Sequence, residues 1–107
     1  MAKYLVQASY SPEGTRGLRK DGGSKRRAAL QETASSLGGT LEAFYYAFGD
    51  TDVVAILNLS DNASAAAAAL TISASGSVSH YKTTVLLTPE EIDQAAKTSV
   101  AYKPPGQ

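Results

Sequence analysis

The sequence predicts an α+β fold with elements in the order β-α-β-β-α-β and a short helix at the end. Three observations lead there. Between Thr40 and Leu59, two runs of aromatic, apolar and β-branched residues flank the turn Gly49-Asp50-Thr51-Asp52, which is the pattern of a β-hairpin. The stretch after Asn62 carries Ala63 and then Ala65, Ala66, Ala67, Ala68 and Ala69, and alanine is the strongest helix former. Thr88-Pro89-Glu90-Glu91 has a hydroxyl at the N-cap, proline next and glutamate three residues on, which is a complete capping box.

The remaining elements follow in order. Lys3 to Tyr10 alternates, with Tyr4, Val6, Ala8 and Tyr10 on one face and Leu5, Gln7 and Ser9 on the other. Ser11 and Pro12 open a helix that Asp21-Gly22-Gly23 interrupts. Ser24 is positioned to cap a second segment, from Lys25 to about Leu37, closed by Gly38. Thr40 to Phe48 and Val53 to Leu59 form the hairpin. Asp61 or Ser60 caps the alanine-rich helix, which runs to about Ser75 and ends at Gly76. Val78 to Leu87 is the fourth strand, with His80, Lys82, Thr84 and Leu86 opposite Tyr81, Thr83, Val85 and Leu87. The last helix ends near Lys97, and residues 99–107, with Pro104 and Pro105, form an extended tail.

This order is that of the ferredoxin-like motif, a four-stranded antiparallel sheet with both long helices on one face. Yet most strands are apolar on both faces: Phe44, Tyr46 and Phe48 against Leu41, Ala43, Tyr45 and Ala47, and Val54 and Ile56 against Val53, Ala55 and Leu57. A sheet with one wet face alternates apolar with polar. The second face is therefore expected to meet another subunit, in a homodimer or higher oligomer. Alanines give the third helix little side-chain volume, so a cavity is expected wherever it does not approach the sheet closely.

Composition limits the partners. At 107 residues the chain is expected to form one domain, residues 1–107, and its 43% apolar content argues against disorder. Apolar runs are too short for a membrane span, and Met1-Ala2-Lys3-Tyr4 leads directly into a strand rather than a signal peptide, so a cytoplasmic location is expected. The absence of cysteine removes disulfides, thiolate metal sites and cysteine nucleophiles. Neither a cofactor nor a metal is expected. Arg16, Arg19, Lys20, Lys25, Arg26 and Arg27 against Asp21 give one segment a net +5 in a neutral chain, which reads as a solvated helix surface rather than a nucleic-acid footprint.

The chain resembles the GYD domain family of small bacterial and archaeal proteins. The likeness is carried by Lys3-Tyr4-Leu5-Val6, Tyr10-Ser11-Pro12-Glu13-Gly14, Leu37-Gly38-Gly39 leading into Phe44-Tyr45-Tyr46-Ala47-Phe48-Gly49, Asp52-Val53-Val54, and Lys82 through Glu91. The family's glycine and aspartate fall on Gly49 and Asp52, while Thr51 stands at its tyrosine position. The resemblance implies a ferredoxin-like fold of the dimeric α+β-barrel kind. It implies no reaction.

Few residues point to chemistry. His80, the sole histidine, is a candidate general base and equally a hydrogen-bonded surface or interface group. Tyr4, Tyr10 and Tyr46, if they share a face with His80 and Lys82, would line an aromatic ligand pocket, with Tyr10 a second catalytic candidate. Asp50 and Asp52 form a carboxylate pair, which backbone capping in the turn explains more simply. Gly22-Gly23-Ser24 before a basic helix is a weak anion-binding signal. Three readings remain: a small-ligand-binding oligomer, which leads; a cofactor-independent monooxygenase or isomerase-like enzyme; and a structural self-assembly module.

Overall fold

A computed structural model describes residues 1–107. Four strands, β1 (Ala2–Tyr10), β2 (Thr40–Tyr46), β3 (Val53–Leu59) and β4 (Val78–Leu86), form one antiparallel sheet in the order β2-β3-β1-β4. The first crossover holds two helices, α1 (Pro12–Asp21) and α2 (Gly23–Ser36); the second holds α3 (Asn62–Ala74); α4 (Pro89–Ala96) follows β4. This is the ferredoxin-like α+β arrangement with its first helix divided in two. The division lies at Gly22, whose φ of 85° suits glycine and few other residues. Gly22, not Ser24, is the N-cap of α2, and it supplies no side-chain bond; Ser24 lies within the helix. The two glycines shift the helix start upstream of the residue best suited to cap it.

Register settles which residues face the helices. Tyr4, Val6 and Ala8 of β1 stand opposite Leu57, Ala55 and Val53 of β3, and all six are buried. On the far side of β1, Val85, Thr83 and Tyr81 of β4 share that face. In β2 a register shift at Glu42 places Leu41, rather than Ala43, in line with Phe44 and Tyr46 on the helix side. Strict alternation groups Leu41 with Ala43 and Tyr45, and the irregularity reverses its side. β2 also ends at Tyr46, so Phe48 lies outside the sheet and is fully exposed.

The core is small and is built around Tyr4 and Leu59. The Tyr4 hydroxyl donates to Asn62 Oδ1 at 2.6 Å, joining the central strand to the first turn of α3. Asp61 caps that helix, accepting from the Ser64 N–H at 2.9 Å. Gly39, buried at the start of β2, lies so near the Asn58 carbonyl and the Leu59 side chain that an added Cβ would collide with both. We therefore expect Gly39→Ala to lower stability by about 1–3 kcal/mol, the usual penalty for overpacking. An unchanged urea midpoint would show that β2 can move away.

Candidate functional site

The third helix brings mostly small side chains to the sheet. Its core-facing residues Ala65 and Ala68 are buried, and Ile72 is the next residue along that face. The helix rests on β4 and β3, whereas α2 rests on β2 and β3. A cavity of about 230 Å³ remains over the central strand. Val6, Ala8 and Val53 are its floor, Ala29 and Leu30 line it from α2, and Ile72 from α3. Tyr10, Arg26, Thr33, Ser75, Ser77 and Tyr81 supply the polar groups. Arg26 is the only charged residue among the lining side chains.

Tyr10 is fixed by backbone on several sides. Its N–H donates to Asp52 Oδ2 at 2.9 Å, where the β1–β4 register shifts after Ser9. Next to it, the Ser11 N–H donates to the Ser77 carbonyl at 3.0 Å and the Ser11 hydroxyl to the Gly76 carbonyl at 2.7 Å. Gly14 completes the support, because a Cβ there would strike the Ser77 carbonyl and approach the Tyr10 ring. Asp52 thus works across the sheet, not only within its turn. Asp50 is exposed, and only its backbone carbonyl is engaged, by the Ser9 hydroxyl at 3.4 Å.

Tyr46 stands beside this site. Its hydroxyl donates to the Gly23 carbonyl at 3.0 Å, and its ring meets Phe44 edge-on with centroids 5.1 Å apart. Burial, reinforced by the neighbouring Tyr10 hydroxyl, raises its pKa above the ordinary tyrosine value. Burial likewise raises that of Tyr81. Both phenols therefore stay protonated near neutral pH and are suited to donate hydrogen bonds. The Arg26 guanidinium lies 3.8 Å from the Asp21 carboxylate, a contact too long to hold it tightly.

The structure separates the residues that the sequence would group. Tyr10 lines the cavity and Tyr46 adjoins it. Tyr4 is buried in the core with its hydroxyl committed to Asn62. His80 and Lys82 stand opposite Ser9 and Gln7, on the face of the sheet away from the helices. No pocket of one chain combines His80 with these tyrosines, because successive strand residues point to opposite faces. Sequence reasoning passed over Arg26 and Tyr81 as cavity residues. The signal for Arg26 was its spacing to Ala29, Leu30 and Thr33, three, four and seven positions on, which is one face of a helix.

The open face has its own pattern. Leu5, Ala43, Tyr45, Val54 and Ile56 form an apolar patch that lies mainly over β2 and β3, Gln7, Lys82 and Thr84 give its β1–β4 side a polar border, and Tyr45 is 71% exposed. At one end, Lys3 pairs with Glu42 and bonds Asn58, and Lys3 holds the Glu42 carboxyl below its usual pKa. Ser9 and His80 lie at the other end.

The GYD domain family profile matches residues 4–96. The crystal structure of NE2512, a protein of unknown function from Nitrosomonas europaea, is similar over 81% of this chain and 89% of that chain, with 19% identity and a TM-score of 0.44. No curated protein matches the chain.

Two outcomes test this geometry. Asp52→Ala removes the acceptor for the Tyr10 N–H and should cost about 1 kcal/mol in urea unfolding, while Asp50→Ala stays within about 0.5 kcal/mol. Equal effects would place the contribution in the turn rather than the cross-strand bond. Tyr81 binds its proton more tightly folded than unfolded, so its contribution is fully present below the unfolded tyrosine pKa of about 10. Stability should fall as pH rises past that value and stop falling on its account above the raised folded pKa. Tyr81→Phe should flatten this alkaline slope; an unchanged slope would remove Tyr81 as its source.

Proposed function

The chain belongs to the GYD domain family, and from the cavity over β1 we propose that it binds a small neutral or anionic molecule while assembled as a homo-oligomer. The cavity is the observation that carries this reading. A dry cavity of ~150 Å³ admits benzene, so about 230 Å³ suits a substituted single ring or an aliphatic chain of similar bulk. Apolar floor and walls would hold the body of such a ligand, and the Tyr10 and Tyr81 hydroxyls and the serines at the polar end would orient it. Arg26 is the one charged group lining the space and no carboxylate does so, which favours an anion over a cation.

Binding is favoured over acid–base catalysis because no carboxylate or histidine lines the cavity, and His80, the candidate base, lies on the opposite face of the sheet. Assembly rests on the open sheet face, where the apolar patch of Leu5, Ala43, Tyr45, Val54 and Ile56 is bordered by polar Gln7, Lys82 and Thr84, as a protein interface core is by its rim. A second copy packed there, sheet against sheet, would form an α+β barrel with one cavity in each half.

Native mass spectrometry of gently purified protein tests assembly and retained ligand together. We expect an oligomer that carries extra mass, and an Ala29→Phe chain that assembles at its bare mass because the ring fills the cavity. Benzoate and benzamide then serve as probes in ligand-observed NMR. Arg26→Gln should weaken benzoate about tenfold, as loss of a charge-assisted hydrogen bond does, and leave benzamide unchanged. Equal binding of both probes to the parent and Ala29→Phe chains would overturn the cavity reading, and a monomeric parent would overturn the assembly.

A further inference from the structure

Beyond β4 the chain leaves its own body. Every residue from 89 to 107 is exposed, and α4 buries none of its side chains. Ile92 is 51% exposed, Val100 75% and Tyr102 71%. The long axis of the molecule reaches 58 Å against 33 and 23 Å for the others, and the radius of gyration is 17.0 Å. A compact chain of 100 residues has a radius near 13 Å. The segment is nonetheless locally specified at its root: the Thr88 hydroxyl accepts from the Glu91 N–H at 3.1 Å, and the Glu91 carboxylate from the Thr88 N–H at 3.0 Å. It forms an arm whose apolar side chains are left half or more exposed by their own chain.

We propose that this arm, α4 with the tail to Gln107, is an exchanged clasp that lies on a second copy of the chain. The inference rests on the sheet-to-sheet pairing proposed above and names what completes it. Four strands about 4.8 Å apart and about eight residues long at about 3.3 Å each give a face of roughly 500 Å² in projection. A stable interface takes about 800 Å² from each partner. The arm extends that face and adds exposed apolar area in Ile92, Val100 and Tyr102. Two-fold symmetry would make the contact twice, each arm crossing to the other copy. Glu90, Glu91 and Asp93 against Lys97 and Lys103 leave the arm at a net −1, without the basic excess that nucleic acid or anionic lipid requires, so a protein surface suits the arm better.

The chain has no cysteine and its full length can be used throughout. Sedimentation of the parent, Tyr45→Asp and the triple variant Ile92→Asp, Val100→Asp, Tyr102→Asp gives the dimer dissociation constants, with circular dichroism to check the fold. Photocrosslinking from benzoylphenylalanine at position 102 reports what the arm touches. We expect the triple variant to raise the dissociation constant about tenfold with the fold intact, and crosslinks to join two copies. A rise below threefold, or crosslinks confined to one chain or made to another protein, would overturn the clasp while a dimeric parent leaves the sheet pairing standing. A parent that stays monomeric would overturn both.

Discussion

The central strand carries the rest of the fold. β1 is paired on both edges, with β3 and β4, so its alternation assigns every neighbouring residue to one face or the other. Tyr4 seals the core end of that strand, Val6 and Ala8 floor the cavity, and Tyr10 stands at its polar end. A slip of one residue would exchange these for Leu5, Gln7 and Ser9 and remove core and cavity together. Burial of Tyr4 and its bond to Asn62 oppose such a slip, because the ring would leave the core and the hydroxyl would lose its acceptor.

The cavity arises from side-chain size. Alanine secures the helix and at the same time empties its underside, so α3 can form without filling the space above β1. Larger residues on that face would give a tighter core and no room for a guest. The two tyrosines whose ionisation burial suppresses lie at or beside this space, Tyr81 in its lining and Tyr46 next to it. On the opposite side of the sheet, His80 and Lys82 belong to a different surface, and their chemistry is separate from that of the cavity.

Much of the fold was legible because its signals are local. The caps at Ser11, Asp61 and Thr88 and the alternation in β1 and β4 each depend on a few neighbouring residues and appear where the sequence places them, while the hairpin forms with a connection two residues longer than its turn signal, from Ala47 to Asp52. What stayed hidden depends on pairing. The irregularity at Glu42 turns Leu41 towards the helices, and no single-strand pattern reveals it. The site was less legible for the same reason. Tyr10 could be named from its strand, but its nearness to Arg26 and Tyr81 joins three elements that are far apart in sequence. Arg26 was obscured by a basic cluster whose other members mostly face solvent.

The bond from the Tyr10 N–H to Asp52 links a surface turn to the wall of an interior space. Hairpin turns are ordinarily where a lineage experiments freely, since insertions and exchanges there disturb little. Here one end of the turn is tethered to the position of a half-buried aromatic ring that lines the cavity. A change at Asp52 would therefore be read out as a change in the shape of that space. The outline of the cavity is thus set in part by a residue that does not line it, Asp52.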